Sequence, residues 1–399
     1  MNKYTGWLYK GIDLHPRYKS ALKSGLMGTA LSLLLSVVVA RVLSVEERGV
    51  FQYVITSITI LMAVLSFGVP FSNSHFEIQK KRLLPDVIVF PTLLLGVALC
   101  FLVGGSSKGL DWLLLLVFSF SYASSLYLID RYKNPKRLKL YSWMMVIQPS
   151  LCLALVGVGL LFEVSLTLIL WAYSGAYILG SLVLLKCDDF SIFRQNKLSI
   201  KGVDYGYMFS YWAATLSSVL VNNIDKIFIL AYLSIYELGL FSVIQGLSSF
   251  IGRIGERIAV TTYVNNMEVE SKKPGLLLFV KLAALLLPLF LAGYLIGLYL
   301  VPFIYTAKYA GLEIYCGLMF CSTFIGSVAW NFAQQVIVDG KPRLNIYRNF
   351  LSLLVFIAVI QGGVSTDALQ NVIMAVLVSA IFRLLYSIAY MYLRKPNYA

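Results

Sequence analysis

The chain has 399 residues, of which 59% are apolar and 13% charged, and its mean hydropathy is +0.79. Soluble domains run at about 45–50% apolar and about 25% charged, so a water-soluble enzyme of this length is excluded. The net charge of +14, from 33 Lys and Arg against 19 Asp and Glu, must be read by position before it speaks of an anionic partner or of membrane orientation. Apolar runs separated by charge clusters predict twelve spans, near residues 22–43, 49–72, 85–104, 110–129, 140–162, 164–186, 205–233, 238–262, 275–298, 312–337, 344–362 and 368–392. The expected fold class is all-α and polytopic.

The first run follows five basic residues and has no small-x-small cleavage pattern, so it reads as a retained signal anchor with a cytoplasmic N-terminus. Alternate connections then divide the basic residues. One side, from Lys3 through Lys80-Lys81-Arg82, Arg131, Arg137, Lys186, Lys272, Arg343 and Arg348 to Arg394-Lys395, holds 24 of the 33. The other holds four, Arg41, Arg48, Lys108 and Lys308, and five lie inside spans. Short cytoplasmic loops carry the positive excess, so both termini are expected in the cytoplasm. This accounts for most of the basicity without nucleic acid.

Conventional site chemistry has little material. Cys100, Cys152, Cys187, Cys316 and Cys321 are scattered, His15 and His75 lie far apart, and no G-x-x-x-x-G-K-[ST] stretch occurs. Neither metal, cofactor nor catalytic residue is expected, and transport would draw on an ion or substrate gradient.

An internal repeat organises the chain. Leu43-Ser44-Val45-Glu46-Glu47-Arg48-Gly49-Val50-Phe51, between spans 1 and 2, matches Leu233-Ser234-Ile235-Tyr236-Glu237-Leu238-Gly239-Leu240-Phe241, between spans 7 and 8, with five identities in nine. Arg137-Leu138-Lys139-Leu140-Tyr141 before span 5 echoes Arg343-Leu344-Asn345-Ile346-Tyr347 before span 11. Both pairs relate equivalent spans of two six-helix halves. Six is even, so the halves share one orientation, as a parallel repeat about an axis along the membrane normal with a substrate site between them. The expected division is residues 1–187, a cytoplasmic linker 188–203, and residues 204–399.

Polar residues at membrane depth usually face a bundle interior or a cavity. Span 7 carries Tyr211, Thr215, Ser218, Asn222 and Asp225 at steps of three and four, with Asn223 and Lys226 beside them. Span 8 carries Gln245, Ser249, Arg253, Glu256 and Arg257, span 10 carries Thr323, Ser327, Asn331, Gln334 and Gln335, and span 12 carries Arg383. Asp225-Lys226 and Glu256-Arg257 also read as self-neutralising neighbours, and Arg257 and Lys281 as snorkelling cations. Arg253 and Arg383 lie deeper, and a guanidinium fork binds phosphate oxygens while keeping its proton. Gln52, Thr56, Thr59 and Gln148 read as helix-packing residues. Gly68-Val69-Pro70, Pro149 and Pro288 are expected to bend their spans.

The segment Gly25-Leu26-Met27-Gly28-Thr29 through Ala40-Arg41-Val42-Leu43-Ser44-Val45-Glu46-Glu47-Arg48-Gly49-Val50-Phe51 and on to Phe67-Gly68-Val69-Pro70 resembles the opening of Wzx-type polysaccharide flippases of the multidrug/oligosaccharidyl-lipid/polysaccharide superfamily. Asn223-Ile224-Asp225-Lys226 through Gly239-Leu240-Phe241-Ser242 is similar to the start of that family's second lobe. The resemblance implies two six-helix bundles in a MATE-like V, placed in the bacterial inner membrane. It also implies transfer of an undecaprenyl-pyrophosphate-linked oligosaccharide, such as an O-antigen unit of lipopolysaccharide biosynthesis, to the periplasmic leaflet. Arg253, Lys226, Arg383, Asn222, Asn331 and Gln334 are then the candidate substrate-binding residues, and Asp225 or Glu256 the candidate group coupling flipping to H+ or Na+. A monomer among membrane lipids is expected, with a polysaccharide polymerase and a chain-length regulator as partners.

The nearest alternative is a cation-coupled drug exporter of the same superfamily, disfavoured by the basic character of the deep charges. A major-facilitator carrier would need G-x-x-x-D-R-x-G-R where residues 73–86 read NSHFEIQKKRLLPD, and a lipid II flippase usually has fourteen spans. A membrane glycosyltransferase or polymerase would need paired acids or a large external loop.

Overall fold

The computed structural model describes residues 16–78, 86–105, 111–133, 137–162, 165–190, 205–266, 276–338, 341–363 and 367–393. The first half contains helices α1 (Pro16–Val42), α2 (Val45–Leu65), α3 (Val69–Ile78), α4 (Asp86–Gly105), α5 (Trp112–Arg131), α6 (Leu138–Gly159) and α7 (Leu166–Cys187). The second contains α8 (Tyr205–Val221), α9 (Ile224–Tyr232), α10 (Ile235–Asn266), α11 (Leu276–Leu295), α12 (Val301–Tyr305), α13 (Glu313–Val338), α14 (Pro342–Gly362) and α15 (Ala368–Leu393). Among the described residues ten helices are long and apolar enough to cross a membrane, eleven when the bent pair α8 and α9 counts as one. The 20-residue α4 fills the place of the third predicted span. Helices satisfy their own backbone groups, which a bilayer demands, and large apolar side chains such as Leu161, Phe162, Leu287 and Phe303 point outward, as a lipid-facing surface requires.

Three predicted spans differ in detail from the helices. Span 2 ends early because Phe67 and Gly68 adopt positive φ (45° and 66°) and turn the chain into α3. A Cβ on Gly68 would lie 2.9 Å from the backbone of Trp212, so both backbone conformation and space call for glycine there. Span 7 breaks at Asn222 and Asn223, with a 51° bend between α8 and α9. Span 9 runs through a π turn, Ile296–Leu300, into α12.

The two halves repeat one packing scheme. In the first, α1 packs on α6, α6 on α7, α4 on α5, α5 on α7 and α2 on α5. In the second, α8 packs on α14, α14 on α15, α11 on α13, α13 on α15 and α10 on α13. Each relation is matched by its counterpart, so the molecule has two six-helix lobes related by a parallel pseudo-twofold. One apolar core belongs to the first half with Tyr211 added, and the other to the second half with Ala40 and Val45 added.

The lobes meet where α2 crosses α10, and the repeated nonapeptide builds that crossing. Ser44 and Glu47 form a capping box, with Glu47 N–H donating to Ser44 Oγ at 3.2 Å and Ser44 N–H donating to Glu47 Oε2 at 2.8 Å. At the equivalent place Glu237 N–H donates to Ser234 Oγ at 3.2 Å, and Ser234 Oγ donates to Glu237 Oε2 at 2.5 Å. The glycines face each other's helices. A Cβ on Gly49 would stand 2.0 Å from the Ile235 carbonyl oxygen, and one on Gly239 would stand 2.0 Å from that of Val45. The repeat thus encodes a helix start and, one turn later, a backbone-to-backbone contact with its own copy.

Reciprocal latches reinforce this end. Arg41 Nη2 donates to the Phe303 carbonyl at 2.9 Å and its Nε to that of Ile304. Lys308 Nζ donates to the Leu43 carbonyl at 2.5 Å. Each cation caps a helix end of the other half, where free carbonyls carry partial negative charge. Burial and the nearby Arg48 guanidinium push the Lys308 ammonium below its usual range, against the opposing pull of Glu47.

Several cations assigned to cytoplasmic loops by position are buried instead. Arg131 Nε donates to Asp86 Oδ2 at 3.1 Å with both side chains fully buried. Asp86 also accepts from Asn73 Nδ2 at 3.1 Å and from the Tyr127 hydroxyl, tying α3, α4 and α5. Arg137 Nε pairs with Asp188 Oδ1 at 3.3 Å, joining the start of α6 to the end of α7. Counting by loop registers sequence position and is blind to the carboxylate that a neighbouring helix brings.

The crossing yields a ranking of substitutions. Gly239→Val overpacks a backbone contact, with an expected cost of about 1–3 kcal/mol, whereas Ser44→Ala removes one cap for about 1 kcal/mol. Thermal unfolding of the purified protein should place Gly239→Val lower. The reverse order would show that the crossing is loose.

Candidate functional site

Beside the α2–α10 crossing lie two connected compartments. The first, about 560 Å³, is lined by α1 (Thr29, Ser32, Ser36), α2 (Arg48, Gln52), α5 (Tyr122, Ser125), α6 (Gln148, Pro149), α7 (Tyr173, Tyr177) and α10 (Ser242, Gln245, Ser249, Arg253). The second, about 530 Å³, lies in the C-terminal lobe among α8, α9, α13, α14 and α15, and reaches Asp130 and Lys133 at the end of α5. Gln245, Gly252, Met319 and Thr323 line both, so the two are continuous.

Arg48 is the main addition to the predicted site. Sequence position places it in the connection between spans 1 and 2, but it lies in the first turn of α2, is 6% exposed and faces the first compartment. Its Nη1 donates to the Ser36 carbonyl at 3.1 Å, Nη2 to Ser36 Oγ at 2.9 Å and Nε to Ser242 Oγ at 3.0 Å. Gly246 opens the space beside Ser36, since a Cβ there would stand 2.8 Å from Ser36 Oγ. Arg48 thereby bridges the lobes on the cavity wall. The repeat held the signal, because Arg48 occupies the position where the second copy has Leu238, one residue before the contact glycine.

Arg253 lines the same compartment. Both guanidinium groups lie within electrostatic range of the Tyr173 hydroxyl, and Arg253 also acts on Tyr122 and Tyr177. The three tyrosines form a cluster, with Tyr122 and Tyr177 centroids 5.2 Å apart and Tyr173 and Tyr177 6.0 Å apart. Gln148 Nε2 donates to Ser125 Oγ at 2.7 Å and Gln52 Nε2 to Thr56 Oγ1 at 3.1 Å. Gln52 and Gln148, read from sequence as packing residues, line the cavity, a distinction that depends on which neighbour each helix face meets. Among the described residues the first compartment has two arginines and no acidic side chain on its wall.

The stripe predicted on span 7 holds together despite the break. Tyr211, Thr215, Ser218, Asn222 and Asp225 all line the second compartment, with Arg348 and Arg383 opposite. Arg383 Nη1 donates to Asn222 Oδ1 at 3.1 Å. Lys226 turns away from both compartments: its Nζ donates to Asn223 Oδ1 at 2.8 Å, and its N–H donates to Asp225 Oδ1 at 2.8 Å. Asn331 spends its amide on the Gly255 carbonyl at 3.2 Å and the Ser327 carbonyl at 2.9 Å, pinning α13 to α10. The side chains of Gln334 and Glu256 lie outside the described residues, as do those of Arg257 and Lys281. Arg348, counted by position as a loop cation, is buried and faces the second compartment. No cluster of His, Cys, Asp and Glu that could hold a metal occurs among the described residues.

No family model and no curated relative matches the sequence. Solved structures do. The chain is similar to the eukaryotic MATE transporter AtDTX14, with a TM-score of 0.66 over 95% of each chain at 13% identity. The fold is that of the MATE transporters. A multidrug resistance MATE transporter of the MOP superfamily is matched in its outward-facing conformation with a TM-score of 0.65, over 95% of both chains. Its inward-facing conformation gives 0.62, over 96% of this chain and all of the other, and both stand at 13% identity. At such identity the likeness is one of fold, and with the apolar helices it fits a multi-pass membrane protein.

The placement of Asn331 makes a specific forecast. Asn331→Ala should cost about 1 kcal/mol of stability, the worth of its hydrogen bonds, while leaving ligand affinity unchanged in a binding titration. A large affinity loss with unaltered stability would return Asn331 to the binding wall.

Proposed function

We propose that this protein is a flippase that moves an undecaprenyl-pyrophosphate-linked oligosaccharide from the cytoplasmic to the periplasmic leaflet by alternating access, acting as a transporter and not an enzyme. The observation that carries this reading is the wall of the first compartment, where Arg48 and Arg253 stand among Tyr122, Tyr173, Tyr177, Gln52 and Gln148, with no acid among the described residues. Guanidinium forks suit phosphate oxygens, and tyrosine and glutamine side chains suit sugar hydroxyls. A lipid carrier stays in the bilayer while its charged and polar head crosses through the cavity, which removes the cost of placing that head in hydrocarbon.

The division of basic residues supports a bacterial inner-membrane orientation with both termini in the cytoplasm. In that orientation the α2–α10 crossing is periplasmic and the cavity is reached from the cytoplasm. Residues 1–187 and 204–399 act as the two rocking lobes, joined by a linker over 188–203. Arg253 belongs to the glycan-binding wall with Arg48, while Asn222 and Arg383 stand on the adjoining second compartment, and Lys226, Asn331 and Gln334 hold supporting positions. Asp225 or Glu256 couples the cycle to H+ or Na+. The protein works as a monomer, alongside a polymerase and a chain-length regulator that take the delivered glycan.

A cation-coupled drug exporter is the second reading. The fold supports it equally, and Asp225 on the wall of the second compartment is the carboxylate that a cationic drug would use. Reconstituted liposomes separate the two. Labelled lipid-linked oligosaccharide should flip in wild type, and Arg48→Gln and Arg253→Gln should each slow flipping by about tenfold or more, as expected for loss of a charge-assisted hydrogen bond. Efflux of a cationic dye without glycolipid movement, lost in Asp225→Asn, would establish the exporter instead.

A further inference from the structure

The second compartment holds more positive charge than its own residues neutralise. Arg348 is 3% exposed and is fixed by its neighbours. Its Nε and Nη2 donate to Asn349 Oδ1 at 3.3 and 3.1 Å, and its Nη1 donates to Ser387 Oγ at 3.3 Å. Asn349 is itself held, its Nδ2 donating to Ser217 Oγ and Ser218 Oγ at 3.0 and 2.9 Å. Arg383 Nη1 reaches Asn222, while its buried Nε has no hydrogen-bond partner among the described residues. Both guanidiniums line one cavity and act on each other electrostatically.

Neither arginine has a carboxylate at salt-bridge distance among the described residues. Of the two acids on the wall, Asp130 pairs with Lys133 at 3.0 Å. Asp225 alone remains, and its Oδ1 already accepts from the Lys226 N–H. Among the described residues two guanidiniums thus face one carboxylate. Arginine cannot shed its proton to relieve the imbalance, and a buried charge without a counter-charge is unstable. The break between α8 and α9 adds to the excess, since Asp225 sits in the first turn of α9, whose N-terminal end carries partial positive charge.

We propose that this compartment is a binding site for a phosphoryl-type oxyanion, gripped by Arg383 and Arg348 with Asn222 at its edge, and separate from the Arg48–Arg253 wall. The orphan Nε of Arg383 and its adjacent Nη form the fork that such an anion accepts. The planar fork favours an oxyanion over a spherical halide. The site rests on charge and geometry and not on the lipid-linked glycan, so either reading can fail without the other.

Trp330 lines only this second compartment of the two, which makes its fluorescence a local reporter, isolated by subtracting a Trp330→Phe protein. The purified full chain is titrated with inorganic pyrophosphate and, separately, with farnesyl pyrophosphate at constant ionic strength. A saturable Trp330 signal is expected, with affinity reduced about tenfold or more in Arg383→Gln and Arg348→Gln. Arg383→Lys keeps the buried charge but loses the fork, so it tests the same loss in a protein spared a charge deletion. A response to inorganic pyrophosphate supports the site as one for a free anion. A response confined to farnesyl pyrophosphate supports it as one for a lipid headgroup. Absence of a saturable signal with both probes, or titrations unchanged in all three arginine variants, would overturn the proposal.

Discussion

The structure depends on one backbone-to-backbone contact, the crossing of α2 and α10. Gly49 admits the Ile235 carbonyl and Gly239 admits that of Val45, each within a distance that any side chain would forbid. Because the contact is made by two copies of one sequence element, it lies on the pseudo-twofold and sets how the lobes sit. The capping box at Ser44 and the hydroxyl cap at Ser234 start both helices just ahead of their glycines, so each helix end that meets the other has its Glu N–H, at Glu47 or Glu237, bonded to a serine hydroxyl. Arg41 and Lys308 then fasten the same end from opposite sides. Close approach of small residues is the main route to helix association where lipid tails remove the hydrophobic drive between helices.

A second constraint governs the charges. In a chain with 13% charged residues, each buried cation must find a carboxylate, a set of hydrogen-bond acceptors or a ligand. The first lobe answers with carboxylates, pairing Arg131 with Asp86 and Arg137 with Asp188. The cavity answers differently. Arg48 is held by a carbonyl and two hydroxyls, and Arg348 by an amide oxygen and a hydroxyl, so both are positioned without being neutralised. Neutral acceptors fix a guanidinium in place and leave its charge available to an anionic ligand.

Much of this architecture is legible in sequence. The apolar runs give the span places, and the repeat gives the halves. The span 7 stripe of Tyr211, Thr215, Ser218, Asn222 and Asp225 survives a 51° bend as one wall, because the break falls between turns that keep the same face inward. Other residues could not be assigned that way. Gln148 and Asn331 are both polar residues within spans, yet one lines a cavity and the other ties two helices together. Periodicity places a residue on a face of its own helix and contains nothing about what that face meets.

By itself the sequence determined the element type, the number of span places and the parallel duplication, since these follow from hydropathy along one chain and from likeness between its parts. It also marked Arg253 and Arg383 as deep charges. Only the tertiary structure decided that Arg48 and Arg348 are cavity residues and not loop cations, and that Lys226 and Asn331 face away. The physical reason is that the state of a charge depends on the partners within a few ångströms of it. Those partners, Ser242 for Arg48 and Ser387 for Arg348, come from helices 194 and 39 residues away in the chain.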